Sequence, residues 1–236
     1  MRPALTTPEL HLETLFRIDR RGRVAGTREP DSRRGPVFKL VRGRAHCAWA
    51  VRADTPDRVA DALHDLAAEE KPVEDGRLPP LHADRYRALA GEAADSGPAF
   101  TFPDDIPEVD GVVFLRTVNR LVRHFPDWSQ AETAGRAPIA AIERDGHAVS
   151  VCCCARRSGH AAEAGLETAA AFRRAGLGAR VTAAWATAVR ASGRVPLYST
   201  SWSNTASLAV AARLNLVAYA NAWSFSDGRD TLASRC

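Results

Sequence analysis

The chain has 236 residues, 45% of them hydrophobic, enough to bury a sizeable core as one large or two small domains. No apolar run approaches the ~20 residues of a membrane span, and residues 1–10 lack a continuous apolar signal region, so the expected location is the cytoplasm. A net charge of +4 is spread along the chain without a clustered basic face, which argues against a nucleic-acid surface.

Lysine occurs only at Lys39 and Lys71, so nearly every basic residue is arginine. With abundant alanine, this pattern points to a genome rich in G and C. Five cysteines, three of them adjacent at Cys152, Cys153 and Cys154, suit neither a disulfide framework nor a spaced zinc site. On a strand they alternate faces and read as small core residues, and no metal is expected.

In chain order, residues 12–18, 36–41 and 45–51 read as strands. Thr55-Pro56-Asp57 opens a helix running to residue 68, with Val59, Leu63 and Leu66 on one face. Residues 72–80 form a loop and residues 82–94 a further helix. The proline-rich stretch 98–107 reads as a linker. This divides the chain into an N-terminal α+β region, residues 1–108, and a second domain, residues 109–236. The first region would cover the substrate side of the second or make a dimer contact.

In the second domain, residues 112–116 read as a strand and residues 119–125 as a short helix stopped by Pro126. Residues 138–143 and 147–155 flank an Asp145-Gly146 turn and form a hairpin. A strand over residues 161–168 leads into Arg173-Arg174-Ala175-Gly176-Leu177-Gly178-Ala179, followed by an amphipathic helix over residues 179–191 with Gly193 as its stop. A β-rich run spans residues 195–202. Ser203-Asn204 caps a helix over residues 205–214, Asn215 takes its left-handed C-terminal position, and residues 216–225 form the last strand.

A glycine-bearing loop between a strand and a helix presents backbone N–H groups and a helix N-terminus to an anion. A P-loop would require Gly-Lys-Ser/Thr, which is absent here. A dinucleotide fingerprint would need a small residue where Val181 stands and an acid near residues 198–202, and neither is present. Arg-x-x-Gly-x-Gly followed by a helix resembles the pyrophosphate-binding segment of the GNAT (Gcn5-related N-acetyltransferase) family. The order strand, loop, helix, strand, helix, strand is similar to the second half of that fold, and the resemblance covers residues 110–226.

This resemblance implies a GNAT acyl-CoA N-acyltransferase fold of the α/β (α+β) type, with a mixed, mostly antiparallel sheet flanked by helices. It also implies transfer of an acetyl group from acetyl-CoA to a primary amine, on a small molecule or a peptide, within a ternary complex. Within Leu166, Glu167 and Thr168, a backbone amide would hold the thioester carbonyl. Arg173, Arg174, Ala175, Gly176, Leu177, Gly178 and Ala179 would cradle the diphosphate, and Asn204 would point to the cofactor or simply cap its helix.

An amine with an ordinary pKa of about 10.4 needs a base before it can attack. Glu163 and Glu167 are the candidates. They lie four apart and share a face of an unbroken strand, though a bulge between them would separate the two. The resemblance favours Glu163, whose distance upstream of the loop is close to that of the catalytic glutamate in the histone-acetylating branch of the family. The family's usual tyrosine acid falls at Ala211, which leaves Tyr198, Ser199, Ser201 or solvent to protonate the departing thiolate. The alternative is a CoA-binding module without catalysis.

Overall fold

The computed structural model describes residues 6–73 and 76–228. The segment expected to begin with a strand at residue 12 is instead mostly a helix, α1 (Pro8–Leu15), followed by the short strand β1 (Phe16–Ile18). The Thr7 hydroxyl accepts the Leu10 amide and Pro8 occupies the first turn, two start signals that outweigh the apolar alternation of residues 12–18. β1 pairs with β2 (Val24–Thr27) in a two-stranded hairpin.

The remaining N-terminal elements are β3 (Phe38–Gly43), β4 (Cys47–Val51), α2 (Asp57–Ala68), α3 (Ala83–Ala90) and β5 (Glu92–Thr101). The expected loop over residues 72–80 includes residues 74 and 75, which lie outside the described residues. The expected helix over residues 82–94 stops at Ala90, because Gly91 turns the chain with φ 91° into β5.

β5 corrects the linker reading as well. Residues 98–101 are strand, and Pro98 sits just beyond the last β10 rung, where its missing N–H breaks no ladder bond.

The second half contributes β6 (Val113–Leu115), α4 (Gln130–Gly135), β7 (Ile139–Arg144), β8 (His147–Arg157), β9 (Ala161–Thr168), α5 (Leu177–Ala191), β10 (Val195–Ser199), α6 (Thr205–Arg213) and β11 (Val217–Ser226). The expected helix over residues 119–125 shrinks to one 3-10 turn, Val118–Arg120, and the strand expected over residues 195–202 ends at Ser199.

Among the described residues, nine strands form one sheet in the order β4-β3-β11-β5-β10-β9-β8-β7-β6. Only β9 and β10 run parallel within it. This is the mixed, mostly antiparallel sheet flanked by helices that the sequence implies. Three N-terminal strands belong to it, and β5 lies between β11 and β10.

The sheet is covered on both faces. α5 packs on β7 to β10, and α1 lies on the opposite face against β3, β4, β8 and β9. Strand alternation sorts the cysteines between the faces: Cys152 and Cys154 pack with Trp185 beneath α5, and Cys153 packs with Leu121 and Phe125 on the other side. All three are buried core residues, as expected. Among the described residues, no helix is long and apolar enough to cross a membrane.

Candidate functional site

The site is built where β9 and β10 part. Their last paired residues are Leu197 and Glu163, and beyond them β9 continues to Thr168 with only β8 beside it. The Ala169 amide donates to the Val149 carbonyl at 2.9 Å. By the alternation of an antiparallel ladder, the Leu166 and Thr168 amides point the other way, into the opened seam.

The glycine loop follows after a 3-10 turn, Ala170–Phe172. Arg173 ties back to the Thr168 carbonyl through Nε at 3.1 Å. Arg174 adopts φ 63° and Gly176 φ 74°, two left-handed residues that reverse the chain into α5. Gly176 is the N-cap of α5 and supplies no side-chain cap, so the first-turn amides of Leu177, Gly178 and Ala179 have no side-chain acceptor. A Cβ at position 176 would lie 3.0 Å from Arg213 Nη1, and one at 178 would lie 3.3 Å from Leu166 Cδ2. A side chain at either position would crowd the loop, and at 176 it would also strain the left-handed backbone.

A cleft of about 1370 Å³ connects these parts. Leu166, Glu167, Thr168, Arg173, Arg174, Gly176, Leu177, Gly178, Ala179 and Asn204 all line it. Ala175 does not: it sits exposed at the tip of the turn, outside the wall. Asn204 caps α6, its Oδ1 accepting the Ser207 amide at 3.0 Å, and faces the cleft as well.

The two glutamates share a face of β9 but differ in surroundings. Glu163 is 3% exposed and lies outside the cleft wall. Its Oε2 accepts from Arg156 Nη1 at 2.8 Å and its Oε1 accepts the Ser199 hydroxyl. Burial alone would raise its pKa, but the Arg156 guanidinium, His11 and these hydrogen bonds hold it below the ordinary carboxylate value. A carboxylate so stabilised is a poor proton acceptor. Glu167 is half-buried, lines the cleft and receives Trp128 Nε1 at 3.4 Å.

Tyr198, the candidate acid, is turned away from this seam. It is buried in the core beneath α5, its hydroxyl donates to the Ser207 carbonyl at 3.3 Å, and burial pushes its pKa up to about 12. The neighbouring position, Ser199, points to Glu163 because successive strand residues alternate faces. Ala211 is buried in the same core as Tyr198.

Residues 144–224 match the FR47-like protein family. The FR47-like segment contains β9, the glycine loop, α5, β10 and α6, and so holds the glycine-loop end of the cleft. Among solved structures, the chain is similar to a GNAT-family protein from Novosphingobium aromaticivorans (21% identity, TM-score 0.46), covering 55% of this chain and 63% of that one. It is also similar to a GNAT-family acetyltransferase from Colwellia psychrerythraea (11% identity, TM-score 0.47, covering 77% and 78%). A third similar structure is a GCN5-related N-acetyltransferase-like protein from Streptococcus suis (19% identity, TM-score 0.44, covering 80% and 84%). No curated protein matches the chain.

The sequence reading did not assign three cleft residues, two of them upstream of the FR47-like segment. Arg213 of α6 places its guanidinium over Gly176, and its position in the last turn of a helix bordering the loop was the available signal. Trp128 and Arg136 flank α4, whose Ser129–Glu132 capping box is legible in the sequence, and they line the cleft.

Proposed function

We propose that the chain is an acetyl-CoA-dependent N-acetyltransferase that transfers an acetyl group to a primary amine by direct attack in a ternary complex. The observation that carries this reading is one continuous cleft. It runs from the uncapped N-terminus of α5, past the unpaired Leu166 and Thr168 amides, to Glu167.

The residues present fit the cofactor. The diphosphate would lie on the amides of Leu177 to Ala179, with Arg174 and Arg213 adding positive charge and glycine at 176 and 178 leaving room for the phosphates. Bound acetyl-CoA would supply an acyl carbonyl activated as a thioester. The amides of Leu166 and Thr168 are oriented to donate to that carbonyl as negative charge develops on its oxygen.

Glu167 takes a proton from the acceptor ammonium, and the freed amine lone pair attacks the acyl carbon. Glu163 stays ionised and braces the point where the strands separate. Among the described residues no tyrosine lines the cleft, so solvent protonates the leaving thiolate, which is a tolerable leaving group at a pKa of about 8.5.

The buried Ala211 and the turned Tyr198 favour a second reading, a module that binds CoA without turning it over. Titration with acetyl-CoA, followed by thiol release with pooled amines, separates the two. Binding with turnover that disappears in Glu167→Gln supports the transferase. Binding without turnover on any amine supports the module, and absence of binding overturns both.

A further inference from the structure

Arg136 follows α4 on the side of the cleft formed with Trp128 and Glu132 and is only 9% exposed, yet it lines the cavity. A guanidinium carries five N–H donors, and a buried charge without hydrogen bonds is costly. Among the described residues no hydrogen bond reaches this guanidinium. Its single ion-pair contact is Glu132 Oε1, at a loose 3.8 Å. The other Glu132 oxygen is committed to the α4 cap, accepting the Ser129 amide at 3.0 Å and the Ser129 hydroxyl at 3.2 Å. Asp31, also nearby, is held by Arg33 at 2.8 Å.

The Trp128 indole spans the space between this cation and Glu167. Its face lies 5.8 Å from Arg136 Cζ, and its Nε1 reaches Glu167 at 3.4 Å. The wall therefore presents a carboxylate at the seam, an apolar aromatic surface, and then a buried guanidinium with donors to spare.

We infer that Arg136 binds a carboxylate on the acceptor, so that the amine acetylated here belongs to a small amino carboxylic acid. This rests on the transferase reading of the same cleft. The ammonium would lie against Glu167, the hydrocarbon stem on the Trp128 indole, and the carboxylate on Arg136, whose planar fork suits a two-oxygen anion. Asp127, Glu132 and Glu167 share this side of the cleft and would repel a doubly charged phosphate, whereas a single carboxylate matches one guanidinium. The width of the indole between the two charged groups favours an amine and a carboxylate separated by several bonds.

The test compares matched acceptors that differ only in the carboxylate: 4-aminobutanoate against propylamine, and lysine against pentane-1,5-diamine. For each pair, kcat/KM for thiol release from acetyl-CoA is measured in the parent, Arg136→Gln and Arg136→Lys, with melting curves confirming that each variant folds. The acids are expected to exceed their amines at least tenfold. Arg136→Gln is expected to raise KM for the acids at least tenfold with kcat little changed and the amines unaffected, and Arg136→Lys to recover part of the loss. Equal or better turnover of the amines, or an unchanged KM in Arg136→Gln, overturns the inference while leaving the transferase reading intact.

Titration of the same compounds into CoA-loaded protein supplies an arm independent of turnover. If no compound releases thiol, the transferase reading falls, and the Arg136 site is then decided by binding alone. Acid binding that is lost in Arg136→Gln supports the site, and absence of acid binding in the parent overturns it.

Discussion

Ser199 donates its hydroxyl to the Glu163 carboxylate across the point where β9 and β10 separate. Arg156 holds the other Glu163 oxygen and also reaches Glu29, so one buried carboxylate joins β8, β9, β10 and the N-terminal region. Glu163→Gln leaves Arg156 undercompensated in a mostly buried place, and the expected loss of stability is about 3 kcal/mol. In the same experiment the folded fraction keeps kcat within a few-fold. Glu167→Gln should do the reverse, lowering kcat by about 10²- to 10⁴-fold with little change in unfolding midpoint. Urea melts and thiol-release kinetics on both variants decide the assignment, and exchanged phenotypes would falsify it.

Acid should loosen the fold through His11. Burial, together with Lys39 and Arg156 and against the pull of Glu163, depresses its pKa from 6.5 to about 4, and its Nδ1 shares a 2.7 Å hydrogen bond with the Tyr219 hydroxyl. A histidine with a depressed folded pKa stabilises fully above pH 6.5 and loses that contribution as pH falls toward 4. The lowered pKa of Glu163 adds a further loss at lower pH, as that carboxylate takes up a proton. The His11 contribution is about 3 kcal/mol over this window. Melting temperature followed from pH 7 to pH 4 should fall steadily in the parent and flatten in His11→Gln; identical slopes would rule His11 out.

Gly176 combines φ 74° with a guanidinium 3.0 Å from where a Cβ would stand. Gly176→Val is expected to weaken acetyl-CoA binding at least about tenfold, roughly 1.4 kcal/mol, by calorimetric titration of folded protein. Gly178→Ala meets only side-chain methyls, of Leu166 at 3.3 Å and Val210 at 3.5 Å, without a positive φ, and should cost less. Equal effects at both positions would count against the cradle.

Arg213 approaches the same loop from α6. Arg213→Ala should lower acetyl-CoA affinity in dilute buffer, and the gap from the parent should narrow as salt rises from about 0.05 to 0.5 M. A deficit independent of salt would mean that Arg213 acts by packing.

Tyr198→Phe removes only a hydroxyl held by the Ser207 carbonyl. A stability loss of about 1 kcal/mol with kcat essentially unchanged is expected. A large fall in kcat in a folded Tyr198→Phe protein would return this residue to the chemistry.

What the sequence revealed was local. β9 has the expected bounds, Asn204 caps α6 through its side chain, Asn215 takes φ 51°, and Asp145-Gly146 turns with two positive φ angles, because each depends on neighbours within a few residues. What it hid was pairing at a distance. The stretch from Pro98 onward reads as a linker, but β5 is held by β10 and β11, more than 90 residues away, and nothing local announces that. Glu163 and Glu167 were equally visible on one strand, yet the partners that divide them, Arg156 and Trp128, come from β8 and from the segment before α4. Arg136 escaped notice because only the folded cleft shows that its charge has so little to hold.

The central place of β5 bears on how this protein can be cut. A fragment starting at residue 109 would strip both β10 and β11 of a neighbour and leave two bare backbone flanks, an invitation to clump. It would also discard Glu29 and leave Arg156 short of a counter-charge. Residues 6–101 are thus masonry for the half that carries the cleft, and truncated proteins meant for crystals or assays should keep them.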